Sequence, residues 1–473
     1  MRLYNSLSKE IEEFVPLNPP KVGMYACGMT VYDYAHIGHG RKYVGDDILR
    51  RTLVVFGYNV THIQNVTDVG HLVSDADEGE DKLEKGAKKH GKTVWEVAKY
   101  FENHFFVTMD SLNVLRPSVI CRATEHIAQQ IELVLKLIEK KYAYVTPEAV
   151  YFDVEKFPEY GKAFAGQTLT EKKTAVRSEV QTGIHKKNPA DFALWFKRVG
   201  RFENHVMYWE SPWGEGFPGW HVECSAMSMK YLGEQFDIHT GGEDHLTVHH
   251  PNEIAQSEAA TGKHPFVKYW VHHAFLKVDN KKMSKSLGNF VTIEDVIEKG
   301  HSPLALRYLF LTAHYRDPLN FTWDSLGAAQ VALDKLKNAT NSLKGDPVRQ
   351  NLSSEKLTKI DGFRTEFRDS LANDLSTPKA LAVVWKVFKS NIPNADKFDL
   401  IEEFDEVLGL NLTERTVINI PAEISELAQK RETLRKESKY NEADALRAQI
   451  EEKGYSVIDT ANGIRISARS KAT

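Results

Sequence analysis

The chain has 473 residues, of which 42% are hydrophobic and 27% charged, with a formal net charge of -4. That length accommodates several domains, and that balance is an ordinary globular one, which excludes disordered, collagenous and membrane-spanning classes. The three cysteines, Cys27, Cys121 and Cys224, are too few for a disulfide framework and suit a reducing compartment.

The near-neutral charge argues against indiscriminate attraction to polyanions, though a local basic groove is compatible with it. Met1 to Leu7 carries no apolar run fit for a signal peptide, and nothing later reaches the length of a membrane span. We therefore expect a cytoplasmic protein without membrane association. Val22, Met24 and Ala26 alternate as in a buried strand that delivers Cys27, and Gly28 marks a turn. His36, Gly38 and His39 then open a helix, whose N-terminus favours an anion. V-T-H-I-Q-N-V (60–66) reads as a second strand leading to Thr67 and Asp68. The acidic run from Ser74 to Asp81 mimics a calcium loop in the wrong ligand order and is expected to be a solvated loop. Thr93 to Leu112 and Thr124 to Lys141 have helical apolar spacing.

Between Tyr142 and Lys187 the pattern changes to short strands, as in an inserted subdomain. A turn-rich run from Ser211 leads into a helix from about Cys224 to Leu232. Phe236 to His239 is a short strand, and Gly241 and Gly242 follow where a parallel sheet meets its ligand. Pro251 reads as the first residue of a helix with Glu253 in its first turn. Trp270 to Asp279 forms one strand that delivers the basic loop K-K-M-S-K-S-L-G-N (281–289). From Phe321 onward the spacing is almost wholly helical, with Thr377 as an N-cap and a break at Pro393. After Pro421 a long polar helix leads to a terminal hairpin with Asn462-Gly463 at its turn.

Cysteine thiolate, imidazole and carboxylate are the ligands zinc prefers. His249 and Glu253 are four residues apart across a helix start, so both could face one point, and Cys27 and Cys224 lie in segments that should converge at the same sheet edge. Taken separately, each cysteine reads better as a small core residue than as a ligand, and it is the convergence of the four that favours a metal.

The pairing of His36, Gly38 and His39 with Lys282-Met283-Ser284-Lys285-Ser286 resembles the HIGH and KMSKS signatures of class I aminoacyl-tRNA synthetases. These enzymes activate an amino acid with ATP on a Rossmann-type sheet. The physical roles fit, since imidazoles and a helix N-terminus stabilise a triphosphate and two lysines neutralise leaving pyrophosphate. The segments Y-A-C-G-M-T-V-Y-D-Y-A-H-I-G-H-G-R, N-V-T-D, P-G-W-H-V-E-C-S-A-M, H-H-P-N-E-I-A-Q-S and K-K-M-S-K-S-L-G-N-F resemble the cysteinyl-tRNA synthetase family, and the likeness runs through essentially the whole chain.

That resemblance implies an α/β fold: a Rossmann-type parallel-sheet catalytic domain (1–125 and 205–260), an inserted connective subdomain (126–204), a KMSKS and stem-contact region (261–320), a helical bundle (321–412) and a small C-terminal anticodon-binding domain (413–473). It implies ATP, L-cysteine and the cysteine tRNA as substrates, magnesium with the ATP, and a monomer. One zinc ion is implied on Cys27, Cys224, His249 and Glu253, binding the substrate thiolate directly. ATP falls to His36, Gly38, His39, Gly241, Asp244, Lys282 and Lys285, with His36, His39, Lys282 and Lys285 acting in catalysis. Thr67 and Trp220 line the amino-acid pocket, and Arg435, Asp444 and Asp459 fall where the family contacts the anticodon.

The sequence departs from the family pattern in a longer acidic stretch after Asp68, extra residues around 199–209, Pro251 in place of a glutamate, and His245 in place of an apolar residue. His245 and His250 thereby become rival ligands to His249. Two other readings are a related ligase that passes cysteine to an amino sugar, and an inactive RNA-binding relative with a structural zinc. The first predicts loss of the segment from Pro421 to Ile466 and the second decay of the signature loops, whereas both features are present.

Overall fold

In the computed structural model the described residues are 1–70, 72–74, 78–164, 185–284, 287–344, 352–413, 422–437, 439–453, 455–460 and 463–468. The centre is a five-stranded parallel sheet. Its strands are β1 (Lys21–Ala26), β2 (Asn59–Val66), β3 (Val119–Arg122), β4 (Phe236–Gly242) and β5 (Val267–His273), in the order β5-β4-β1-β2-β3. Met24, Tyr25 and Ala26 of β1 are all buried, as they must be when both faces of a parallel sheet are covered. The strand order reverses between β1 and β4, which leaves a crevice at their carboxyl ends.

Three helices frame that crevice: α1 (Ile37–Val55), α2 (Trp220–Leu232) and α3 (His249–Thr261). Between β3 and β4 the chain builds a four-stranded antiparallel sheet from Ala143–Val145, Ala149–Phe152, Phe192–Lys197 and Gly216–Pro218. Leu194 and Trp195 of that sheet pack with Val222 and Ala226 of α2 and Ala255 and Ala259 of α3.

Helices Trp323–Leu343, Ser354–Ala372, Thr377–Lys389 and Asn394–Leu408 share one hydrophobic core with α1 and with helix Val94–Ser111. A buried guanidinium ties these parts together. Arg307, with no exposed surface, donates to Leu408 O (2.7 Å), to Leu112 O and Asn113 O (2.9 Å each) and to Asp47 Oδ2 on α1 (2.6 Å). Arg51 bonds the same Asp47 oxygen at 2.7 Å and reaches Glu406 O at 2.9 Å. At the C-terminal end, helices Ala422–Lys436 and Tyr440–Glu452 and the hairpin Tyr455–Thr460/Gly463–Ala468 form a unit around Ile424, Ala428, Ile450 and Val457. No helix among the described residues is long and apolar enough to cross a membrane.

Several elements differ from the sequence expectation. The acidic run is not simply a solvated loop: Leu72–Ser74 and Glu78–Asp81 pair antiparallel, and Asp81 is buried, where it caps helix Lys82–His90 and meets His205 Nε2 at 3.1 Å (75–77 lie outside the described residues). Helix α2 starts at Trp220, four residues before Cys224, because the apolar run already begins on its buried face; α3 starts at His249, with Pro251 inside its first turn, where the backbone N–H is unpaired in any case. The segment 270–279 divides at Ala274, its second half (Leu276–Val278) joining a separate small sheet with Lys281–Lys282 and Leu319–Phe321. Ser376, not Thr377, is the cap residue of its helix. Asn462 lies outside the described residues.

Candidate active site and metal centre

The turn after β1 is built on one close approach. Gly28 N donates to Asn65 Oδ1 at 2.6 Å, and a Cβ on Gly28 would sit 1.6 Å from Asn65 O, so only glycine fits. The preceding residue, Cys27, is thereby aimed into the crevice, its carbonyl accepting from Lys42 Nζ (2.7 Å) and Tyr43 OH (3.2 Å).

Past the turn, His36 is the N-cap of α1. His36 Nδ1 accepts from His39 N (3.2 Å), His39 Nδ1 accepts from His36 N (3.3 Å), and the rings stack at 3.6 Å. Two imidazoles thus form a capping box that is more often made by serine and glutamate. Because both Nδ1 atoms accept, the ring proton of each neutral imidazole belongs on Nε2.

The basic loop meets this turn directly. A Cβ on Gly38 would stand 3.3 Å from Met283 Cε, Phe290 packs edge-on against His36 at 5.3 Å, and Ile37 N donates to Val291 O at 3.0 Å. Lys282 is exposed, and Asn289 braces its loop by donating to Lys282 O (3.1 Å) and accepting from Ser284 N (2.9 Å). Lys285 lies outside the described residues. Across the crevice, Gly241, one residue before the end of β4, lies so close to His250 and His245 that a Cβ would clash at 2.5 and 2.7 Å. Asp244 is exposed in the turn that follows.

Cys27, Cys224, His249 and Glu253 come together with one donor atom each, all within 4.8 Å of one another, and all four are buried. The two sulfurs are 3.9 Å apart and His249 Nε2 is 3.0 Å from Glu253 Oε1. Two thiolates on tetrahedral zinc, with Zn–S of about 2.3 Å, stand about 3.8 Å apart, so the donor set fits that ion in chemistry and in spacing.

A second set, Cys27, His239, His250 and Glu253, satisfies the same criterion and shares two members with the first. His250 Nε2 lies 3.5 Å from Cys27 Sγ, and His239 Nε2 lies 2.9 Å from Glu253 Oε2. Of the two rival histidines, His250 therefore enters a donor set, while His245 stands beside both, its ring 4.9 Å from that of His249.

Proton placement in this cluster follows from burial and charge. Burial opposes ionisation of Cys27, but hydrogen bonding to Cys224 and the facing His239 and His249 outweigh it and hold its thiol well below the usual range. Cys224 moves the other way, raised by burial and by neighbouring Cys27. Burial lowers His249, but Glu253 and Cys27 raise it further, to about 10. The Cys27 thiolate is ready to accept a cation, whose binding would displace the protons held on His249 and Cys224.

Beside the cluster, Thr67 is buried and donates to Glu223 Oε2 at 3.0 Å, and the half-buried Trp220 lays its ring 4.2 Å from that of His249. Asp68 accepts from Thr124 N and Oγ1 and is raised to about 6, chiefly by burial. The anticodon candidates sit on three successive elements of the C-terminal unit. Arg435 faces the Tyr440 ring at 5.8 Å, Asp444 is exposed on the next helix, and Asp459 is in the strand beyond.

Sequence reasoning missed His239 and Glu223. His239 alternates with apolar residues inside β4 and reads as core, and Glu223 is hidden on a helix whose start was expected further on; a carboxylate next to Cys224 was the available signal.

Comparison with known proteins places the chain in a family. The family "tRNA synthetases class I (C) catalytic domain" matches residues 13–331. A cysteine–tRNA ligase of Treponema denticola is 42% identical, covering 98% of this chain and 98% of that protein. Cysteine–tRNA ligase 1 of Burkholderia lata is 44% identical, over 98% of this chain and 96% of that one. Among solved structures, Mycobacterium tuberculosis methionyl-tRNA synthetase in complex with methionyl-adenylate is similar in fold, with a TM-score of 0.55 at 15% identity over 82% of this chain and 88% of that chain. On the full-length identity to these ligases and the match to the catalytic domain, the chain belongs to the cysteine–tRNA ligase family of class I tRNA synthetases.

Proposed function

We propose that this protein joins L-cysteine to its tRNA: ATP and cysteine give cysteinyl adenylate and pyrophosphate, and the cysteinyl group then passes to the 3'-terminal adenosine. The observation that carries this reading is the convergence of a two-thiol, one-imidazole, one-carboxylate donor set with the histidine-capped start of α1 at one crevice. Amino-acid selection and nucleotide binding are then adjacent, as adenylate formation requires.

Activation is in-line attack of the cysteine carboxylate on the α-phosphorus of ATP, with pyrophosphate leaving. Positioning and charge neutralisation dominate such a step, and no protein nucleophile is needed. His36 and His39 use Nδ1 to hold the first turn of α1, which directs their Nε2–H donors outward, beside the backbone donors of the helix N-terminus. Lys282 and Lys285 neutralise the departing pyrophosphate, with Met283 and Phe290 seating their loop against His36 and Gly38. Gly38, Gly241 and Asp244 form the nucleotide's bed, and magnesium accompanies the triphosphate.

Cys27, Cys224, His249 and Glu253 would hold zinc, which would supply a Lewis acid that favours the substrate thiol over the hydroxyl of serine. Trp220 and Thr67 wall that pocket, Glu223 fixing the Thr67 hydroxyl. Arg435, Asp444 and Asp459 read the anticodon.

The test is cysteine-dependent ATP–pyrophosphate exchange followed by charging of the cysteine tRNA. Both should occur with zinc-loaded protein. Exchange without charging would point to a cysteine ligase with another acceptor, and absence of exchange would overturn the reading.

A further inference from the structure

The helix Lys82–His90 carries four lysines against one acidic residue, in a chain whose net charge is -4. Its buried face is made by Leu83 and Gly86, while Lys85, Lys88 and Lys89 are exposed at i, i+3 and i+4 on one stripe, which Lys92, exposed just past the left-handed cap Gly91, extends beyond the helix. Like charges at that spacing disfavour a helix. The helix dipole offsets the cost for the last turn, but not for Lys85 in the middle.

This stripe lies on the rim of the crevice. Lys82 Nζ stands 5.7 Å over the Trp220 ring, Gly86 abuts the Tyr32 backbone, and Lys89 Nζ is 3.4 Å from Asp33, three residues before His36. Aromatic faces continue it. Lys92 sits over Tyr100, which is 45% exposed, and Trp95, 49% exposed, meets Trp209 edge-on at 6.3 Å. Beyond Trp209, which pairs with the inserted sheet at Gly216, Arg198 covers the exposed ring of Tyr208 at 3.8 Å.

Cations alternating with exposed aromatic faces suit a single strand of nucleic acid, whose phosphates take the cations and whose bases stack. On the function proposed above, the terminal adenosine must reach the adenylate, so the end of the RNA has to cross this rim. We propose that the stripe Lys85, Lys88 and Lys92, with Tyr100 and Trp95, is the docking track for the unpaired 3' end of the tRNA. The buried hairpin residue Asp81, which caps the helix and contacts His205, fixes that track to the inserted region.

The test replaces Lys85, Lys88 and Lys92 together by Gln, and by Arg as a charge-conserving control. The Gln variant should exchange ATP and pyrophosphate at the wild-type rate while its KM for tRNA rises at least about tenfold, and its salt slope for tRNA binding should fall by about 2, at roughly 0.7 per single-strand phosphate contact. The Arg variant should charge normally. Binding to tRNA trimmed of its unpaired 3' nucleotides should be the same for wild type and Gln variant. An unchanged KM for tRNA would overturn the proposal, and so would a difference that persists on trimmed tRNA, which would assign the stripe to the paired stem. Loss of exchange and charging in the wild type would instead defeat the functional reading beneath it.

Discussion

Two donor sets share Cys27 and Glu253, so exchanging one unshared member of each discriminates between them: Cys224→Ser for the set with two sulfurs, His239→Gln for the set with two imidazoles. The sulfur separation of 3.9 Å matches the tetrahedral edge of about 3.8 Å expected for two thiolates on zinc, and His239 is already engaged with the second oxygen of Glu253 at 2.9 Å. His239 therefore orients a ligand, a role whose loss costs roughly 10–100-fold in metal affinity. Removing Cys224 deletes a thiolate bond outright and should cost more than about 100-fold on the same scale. The assay is zinc competition against a chelator, paired with cobalt substitution. In the cobalt-loaded wild type the near-ultraviolet sulfur charge-transfer band should carry two thiolates' intensity, halved in Cys224→Ser and retained in His239→Gln. If His239→Gln lost the ion while Cys224→Ser kept it, the metal would belong to the imidazole set and the assignment would be refuted.

Four further outcomes are expected. Gly28→Ala, whose Cβ would collide with Asn65 O, should yield protein that is insoluble or melts many degrees lower, whereas Gly362→Ala, with open space around its Cβ, should melt like wild type. Asp47→Ala leaves the fully buried Arg307 without its carboxylate and should destabilise by about 3–5 kcal/mol in urea unfolding; a change below about 1 kcal/mol would contradict the structure. Both ring nitrogens of buried His62 lack a hydrogen-bond partner, and burial lowers it from 6.5 to about 4. A base depressed in the folded state binds its proton more readily when unfolded, so stability is complete above about pH 6.5 and falls by up to about 3 kcal/mol as the pH drops to 4. His62→Leu should flatten that window in pH-dependent denaturant titrations. Gly38→Ala, crowding His36 and Met283, should raise the KM for ATP in pyrophosphate exchange and leave zinc content unchanged.

Much of the centre was legible from residue chemistry. Cys27 at a strand end, Gly28 at a forced turn and the four-residue spacing of His249 and Glu253 are local signals, and the sheet brings them together as expected. The extra imidazoles were not legible, because His239, and His272 whose Nε2 lies 2.7 Å from His250 Nδ1, occupy parallel strands buried on both faces, where period alone does not separate a polar position from a core one. The role of the acidic run was also hidden. Its partner, His205, is 124 residues away, and a long-range hydrogen bond leaves no trace in local composition. Nor could spacing reveal that His36 and His39 cap their own helix, since capping propensity points to serine, threonine or acidic residues.

The anchoring of α1 bears on how the molecule can be dissected. About 15–21 Å of helix separates the histidine-capped start of α1 at Ile37 from Asp47 and Arg51, through which the helix is held to Arg307 and the carbonyls of Glu406 and Leu408. The histidine-capped turn and the all-helical body are thus braced by one rigid strut. A fragment cut after the matched catalytic region would keep every residue of the crevice and still lose the abutment that holds the strut. Minimal versions of this enzyme should therefore be trimmed from the C-terminal unit inward, and no further than Leu412, whose backbone N–H still donates to Asp405 at the foot of that strut.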